Sequence, residues 1–105
     1  MLVKRSSERE WTPSGFPGIE RSLFRNTEYG GRASFVRLAA GSRFPRHTHQ
    51  GGEEVVVIAG RVAIGGVDLD AGDYLHTDAG EEHDVVALSD AVIFVSSQKP
   101  TPLVE

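Results

Sequence analysis

The segment from Gly41 to Gly60 reads GSRFPRHTHQGGEEVVVIAG and carries the strongest signal in the chain. His47 and His49 are two residues apart, so on an extended strand both imidazoles project from the same face. Glu53 has the same parity, whereas the neighbouring Glu54 faces the other way. Because imidazole nitrogens and a carboxylate oxygen are common metal ligands, this spacing predicts a metal site.

A fourth candidate ligand, His83, lies far enough beyond Glu53 for the chain to return to the same place on a neighbouring strand. The sequence contains no cysteine, so any metal must use nitrogen and oxygen ligands. Calcium and magnesium prefer oxygen shells. We therefore predict one divalent transition metal, zinc or iron first and manganese or nickel as alternatives. Its predicted ligands are His47, His49, Glu53 and His83. His76 is interpreted as a strand histidine that faces solvent or a hydrogen-bond partner.

The rest of the sequence predicts short strands. The 12 glycines and 5 prolines interrupt nearly every window in which a helix could form. Strands are predicted at 19–24, 33–40, 54–59, 61–64, 67–69, 74–77, 84–88 and 91–96. The unbroken apolar run 54–59 is typical of a strand buried on both faces, and Gly65-Gly66 suits a hairpin turn. Strands at this spacing predict an antiparallel sandwich or barrel.

Length and composition limit the number of domains, the partners and the location that we expect for the protein. The 105 residues predict one domain spanning 1–105, with a core at about 11–97 and an arm at each end. The net charge of −4 and scattered basic residues argue against a nucleic-acid partner. No apolar run is long enough for a membrane span, and the start of the chain lacks the apolar region of a secretory signal, so we expect a cytoplasmic protein.

The segment from Gly41 to Gly60 matches the first motif of the cupin superfamily, G-x5-H-x-H-x3-E-x6-G, at every fixed position. The second motif is matched in part by Gly72, Gly80 and His83, with Asp78 and Ala87 replacing its usual proline and asparagine. The resemblance implies an all-β, RmlC-like fold, which is a single small antiparallel β-barrel or jelly roll. In that family the asparagine does not bind the metal, so its replacement by Ala87 does not change the set of four candidate ligands. Because cupins commonly pair, and because the Trp11 to Phe16 arm and Leu103-Val104 offer apolar surface, we also expect a homodimer.

From about Trp11 to Val95 the sequence most closely resembles the ChrR-like cupins, through the segments Trp11–Gly18 and Phe44–Val55. The anti-sigma members of that family carry an additional N-terminal zinc domain with its own cysteines. Because this sequence has neither those cysteines nor the length, we do not expect direct anti-sigma activity. Related stand-alone members include dioxygenases that cleave carbon–carbon bonds in diketones or hydroxyacetophenones. The resemblance therefore implies either such an enzyme or a non-catalytic, metal-dependent sensor or binding module for a small molecule.

Coordination number separates these two functions. Four protein ligands close the shell of tetrahedral zinc, whereas octahedral iron, manganese or nickel keeps two positions for dioxygen or a chelating substrate. No catalytic residue is assigned from the sequence. Phe35, Arg37 and Tyr74 are candidates for lining a pocket beside the metal, although alternation alone does not tell which strand face is inside. For Phe35, packing in the core is the preferred interpretation.

Overall fold

The computed structural model describes residues 1–105 and folds them into ten strands. The strands are β1 (Thr12–Pro13), β2 (Ile19–Asn26), β3 (Arg32–Leu38), β4 (Arg43–Thr48), β5 (Glu53–Ala59), β6 (Arg61–Ile64), β7 (Val67–Asp70), β8 (Tyr74–Thr77), β9 (Glu82–Ala87) and β10 (Ala91–Ser97). The only helix is a 3₁₀ turn, Ser6–Glu8, which is far too short to cross a lipid bilayer.

The strands form two antiparallel sheets. The larger sheet has the order β1-β2-β3-β10-β5-β8, and the smaller has the order β4-β9-β6-β7. This arrangement confirms the predicted antiparallel all-β jelly roll. The two sheets are not joined into a closed barrel, because no ladder connects the edge strands of one sheet to those of the other. The edge strand β4 pairs instead with the C-terminal tail of its own chain.

The core lies between the inner faces of the two sheets. Val55 and Val57 of the larger sheet and Val62 and Ile64 of the smaller one are each at most 2% exposed. Burial of such an aliphatic side chain stabilises the fold by about 1.5–3 kcal/mol. Eleven buried apolar residues make up this cluster: Ile19, Leu38, Val55, Val57, Val62, Ile64, Leu69, Val85, Ala87, Ala91 and Ile93. The core therefore holds the two sheets together.

The prediction that residues 54–59 are buried on both faces is wrong. In β5 the inner residues Val55 and Val57 are buried, but Glu54 is exposed and Ile58 is 48% exposed. The run is continuously apolar because the outer face of the larger sheet is itself apolar, with Phe24 and Phe35 in edge-to-face contact at 4.9 Å. The N-terminal arm covers part of that face, with the Arg9 guanidinium 4.8 Å from the centroid of the Phe35 ring.

Strand β4 was missed in the sequence because Pro45 interrupts it. Proline lacks a backbone N–H and is tolerated in a sheet at edges and bulges. Both conditions hold here, since β4 lies at the edge of the smaller sheet and its register with β9 shifts between Phe44 and His47. The shift lets the strand accept Pro45 and still bring His47 into the sheet.

Both ends of the chain fold back on the sheets. The Thr48 N–H donates to the Pro102 carbonyl at 3.0 Å, which seats the tail beside β4. At the other end, the Arg37 guanidinium lies 4.3 Å from the centroid of the Trp11 ring. These contacts use within one chain part of the surface from which a homodimer is predicted, and the homodimer stays a prediction.

Candidate metal centre

The four predicted ligands come together where the two sheets meet. His47 of β4 is paired in register with His83 of β9, Glu53 begins β5, and His49 lies in the connection between β4 and β5. One potential ligand atom from each residue lies within 4.8 Å of those of the other three. The exposed fractions are 4% for His47, 2% for His49, 5% for Glu53 and 6% for His83. The fold thus gathers a buried group with the chemistry to hold a metal ion.

Backbone carbonyls orient two of the imidazoles. Nδ1 of His47 lies 2.9 Å from the Pro45 carbonyl oxygen, and Nδ1 of His49 lies 2.6 Å from that of Glu81. A carbonyl oxygen only accepts hydrogen bonds, so Nδ1 donates and Nε2 of the neutral ring keeps its lone pair. This is the usual way in which a protein fixes the tautomer of a metal-ligating histidine.

The Nε2 atom of His49 is buried without a hydrogen-bond partner. It lies 3.3 Å from Oε1 of Glu53, but without the alignment of a hydrogen bond. Nε2 of His83 lies 3.8 Å from the same carboxylate oxygen. Because buried polar atoms are nearly always satisfied, an unpartnered nitrogen among three other potential ligands fits a site for a metal ion.

Burial and neighbouring charges set the protonation of the cluster. Burial lowers the pKa of His47, and burial followed by the charges of His47 and His49 lowers the pKa of His83 to about 4. Burial also lowers the pKa of His49, but the Glu53 carboxylate and the Glu81 carbonyl raise it by more. Two of the imidazoles are therefore held in the neutral form, which is the form that binds metal ions.

A cavity of about 90 Å³ opens beside three of the four candidate ligands, His47, Glu53 and His83. His49 does not line it, although its side chain is buried like those of the other three. Half of the lining residues are hydrophobic, among them Val55 and Ile93 from the core. An ion held by the cluster would thus lie beside a partly open, partly apolar cavity.

The structure corrects the predicted lining of this cavity. Phe35, Arg37 and Tyr74 do not line it; the Tyr74 O–H, for example, donates to Glu54 on the outer face. Arg21 and Arg32 do line it, and sequence reasoning missed both. Alternation places every second residue of a strand on one face, but only the register shows which of the two faces is inside.

Glu54 and His76, which were not predicted to be ligands, lie outside the cluster. Glu54 is exposed on the outer face, as parity predicts. His76 has a 48% exposed side chain, with Nδ1 3.5 Å from Oδ1 of Asp78. His76 is therefore a solvent-facing strand histidine, in agreement with its interpretation from the sequence.

This chain belongs to the family described as ChrR Cupin-like domain, whose profile matches residues 1–101. It is also 35% identical over 98 residues to the DNA damage-repair/toleration protein DRT102 of Arabidopsis thaliana, an alignment that covers 87% of this chain. The chain spans 31% of the length of that relative.

Solved structures share the same fold. An acetylacetone dioxygenase from Acinetobacter johnsonii superposes with a TM-score of 0.85 at 18% identity, covering 100% of this chain and 77% of the other. The anti-sigma ChrR of Rhodobacter sphaeroides, solved in complex with SigE, gives a TM-score of 0.76 at 24% identity, covering 90% of this chain and 52% of the other. At these identities the likeness establishes the cupin fold and leaves the activity open.

Proposed function

We propose that this chain is a metal-dependent cupin in which His47, His49, Glu53 and His83 hold one divalent transition metal, and that it acts as a dioxygenase on a small chelating substrate. The observation that carries the proposal is the cavity beside the cluster. Three of the candidate ligands line it, so a molecule in the cavity would contact the ion directly.

The residues of the chain supply binding and orientation. His47, Glu53 and His83 line the cavity, so a molecule in the cavity would approach the cluster from their side. The apolar part of the lining would limit access of water and hold a small organic molecule beside the cluster, which favours reaction through proximity. A bound transition metal would supply Lewis acidity, and iron would add the redox chemistry that activation of dioxygen requires.

The acetylacetone dioxygenase with the same fold supports a diketone-like substrate. Diketones with neighbouring carbonyls, and hydroxyacetophenones whose hydroxyl group lies next to the carbonyl, can bind a metal ion through two oxygens, so they would match an ion with two free positions facing a cavity. The likeness to ChrR supports a second candidate, a sensor that binds such a ligand without turning it over. Both functions need the same four ligands.

Oxygen consumption separates the two candidates. The protein is stripped of metal, reloaded under argon with iron(II), manganese(II), nickel(II) or zinc(II), and mixed with oxygenated buffer and a panel of diketones and hydroxyacetophenones. We expect uptake with a redox-active metal and none with zinc, which has no redox chemistry. Glu53→Ala should abolish uptake, while Glu54→Ala, the adjacent exposed carboxylate, should retain it. If ligands raise the melting temperature but no metal form consumes oxygen, the protein is a binding module.

A further inference from the structure

One row of side chains crosses the inner face of the larger sheet at the level of the cluster. The register pairs Glu53 of β5 with Ser97 of β10, and Ser97 with Arg32 of β3. Arg32 is thus two strands from Glu53, a backbone separation of about 10 Å. Arg21 of β2 is paired with Val36 further along the sheet, and both arginines line the cavity beside the cluster.

Neither of these two guanidinium groups has an anionic partner. Arg21 and Arg32 form no ion pair and donate no side-chain hydrogen bond. The Arg21 guanidinium lies 5.5 Å from the centroid of the Phe44 ring. Four arginines elsewhere on the surface are paired with carboxylates: Arg37 with Glu20, Arg43 with Asp84 and Glu105, Arg46 with Glu82, and Arg61 with Asp70. The other arginines without an ion pair, Arg5, Arg9 and Arg25, do not line the cavity, so Arg21 and Arg32 are the two unpaired arginines that face it.

The environment of Arg21 makes its unpaired charge costly. The side chain is half-buried, and burial, followed by the like charge of Arg32, lowers the pKa of the Arg21 guanidinium below its ordinary value. A partly buried charge is stabilised by an opposite charge at hydrogen-bond distance. Glu53 is the only carboxylate that lines the cavity, and it belongs to the metal cluster. The cavity thus offers Arg21 no carboxylate apart from that candidate metal ligand, which leaves a place for the negative charge of a bound molecule.

The surface around the mouth of the cavity is also positively charged. A surface depression that shares Arg21, Arg32 and Phe44 with the cavity is lined by Lys99 as well, and no acidic residue borders it. A divalent ion in the cluster would add two positive charges against the single negative charge of Glu53. Clefts lined by charge of one sign concentrate ligands of the opposite sign.

We propose that the cavity takes a small anionic chelator, a dicarbonyl or hydroxycarbonyl compound that carries a carboxylate, with the carboxylate at Arg21 and Arg32 and the remaining oxygens toward the His and Glu cluster. This inference rests on the proposed function, since it assumes an ion in the cluster. A planar guanidinium matches the two oxygens of a carboxylate, and the cavity of about 90 Å³ limits the ligand to a small molecule.

Two matched ligands test the inference. Acetylacetone and 2,4-dioxopentanoate share the same diketone, and the second replaces one methyl group with a carboxylate. Each is titrated calorimetrically under argon into nickel(II)-loaded protein, because nickel(II) accepts octahedral coordination. We expect 2,4-dioxopentanoate to bind at least ~10-fold more tightly, since charge-assisted hydrogen bonds to arginine are among the stronger ones.

Substitution of Arg21 and Arg32 tests whether these residues cause the tighter binding of 2,4-dioxopentanoate. In Arg21→Gln with Arg32→Gln the two ligands should bind with nearly equal affinity, while acetylacetone binding stays close to that of the wild type. Arg25→Gln is the control, because Arg25 is an exposed residue of the same strand that does not line the cavity. Should the double variant fold poorly, the Arg32→Gln single variant provides the same comparison, because Arg32 is exposed.

Equal affinity of the two ligands for the wild type overturns the inference, as does a preference that persists in the double variant. Failure of the proposed function has a different signature, which is a protein that takes up no metal. In that case the same titrations on metal-free protein test the anion site by itself. Binding of 2,4-dioxopentanoate that the double substitution abolishes supports the anion site, and binding that it leaves unchanged contradicts it.

Discussion

His47 and His83 stand directly opposite each other in the antiparallel pairing of β4 and β9, with ring centroids 4.8 Å apart and ring planes at 88°. Residues paired in register project to the same face of a sheet. Two histidines far apart in the chain therefore reach the same point because one ladder aligns them. The bulge that precedes His47 in β4 sets this register.

Removal of any one candidate ligand should weaken metal binding strongly. His47→Ala, His49→Ala and His83→Ala each leave three of the four ligands, and we expect affinity to fall by more than the ~10–100-fold that loss of a supporting residue around a metal site costs. Elemental analysis of protein dialysed against equal metal measures the bound fraction. Glu54→Ala, which changes an exposed carboxylate next to Glu53, should keep the wild-type stoichiometry. Wild-type stoichiometry in the three histidine variants would rule out this ligand set.

Metal should stabilise the fold. A ligand present at 100 times its dissociation constant stabilises the native state by about 2.7 kcal/mol. For a domain near this size, that corresponds to a rise in melting temperature of roughly 10–20 °C. Calorimetric scans of metal-free and metal-loaded protein, with excess chelator as the reversal, measure the shift. The His49→Ala protein is the control and should show no rise, because its unpartnered nitrogen is gone. A metal-independent melting temperature in the wild type would contradict the site.

Acid should weaken the attachment of the C-terminal tail to β4. The Arg43 guanidinium, and next the Arg46 backbone N–H, hold the pKa of Glu105 at about 2, below its ordinary value of 4.5. The depressed pKa means that the folded state binds fewer protons than the unfolded state, so the contribution is complete above about pH 4.5 and is lost as the pH falls toward 2. Because the groups are exposed, the effect is small.

The pH dependence is measured as the difference in melting temperature between the wild type and Glu105→Gln. We expect the wild type to be the more stable at pH 7 and the difference to shrink below about pH 4.5. Glu28→Gln removes an exposed carboxylate that makes no ion pair and should give no such pattern. A difference that is constant from pH 7 to pH 3 would show that Glu105 does not act through its charge.

Gly31→Ala should destabilise the larger sheet. A Cβ atom at Gly31 would overlap the Ser97 carbonyl oxygen and the backbone of Gln98, so the end of β10 would have to move. Overpacking of this kind costs typically 1–3 kcal/mol. The matched control is Gly52→Ala, where the nearest atom to a new Cβ is Nε2 of His76 at 3.5 Å, an ordinary contact. Chemical denaturation of both variants measures the cost, and equal stability of the two would refute the argument.

Much of the fold could be predicted because local signals were strong. Strand β8 was predicted with its observed bounds, and Gly65-Gly66 turns the β6–β7 hairpin with φ angles of 57° and 79°. The four candidate ligands were predicted from their spacing and from the match to the cupin motifs. In contrast, Pro45 hid strand β4, because a proline is compatible with a strand only at an edge or bulge, and neither can be recognised before the sheet is assembled.

The cavity could not be predicted for a related reason. Arg32 and Phe35 differ by an odd number of positions in β3, so they lie on opposite faces, and the sequence does not state which face is inside. That choice depends on the pairing of β3 with β10 and β2, which is a property of the whole sheet. Arg21 and Arg32 consequently became visible as cavity residues only in three dimensions.

The position of the cavity has a kinetic consequence. Since all four candidate ligands are at most 6% exposed and three of them line the cavity, the cavity is the opening through which an ion would reach the cluster. An organic molecule in the cavity would then stand between a bound ion and the solvent. Such an occupied cavity would slow exchange of the ion with chelators in solution.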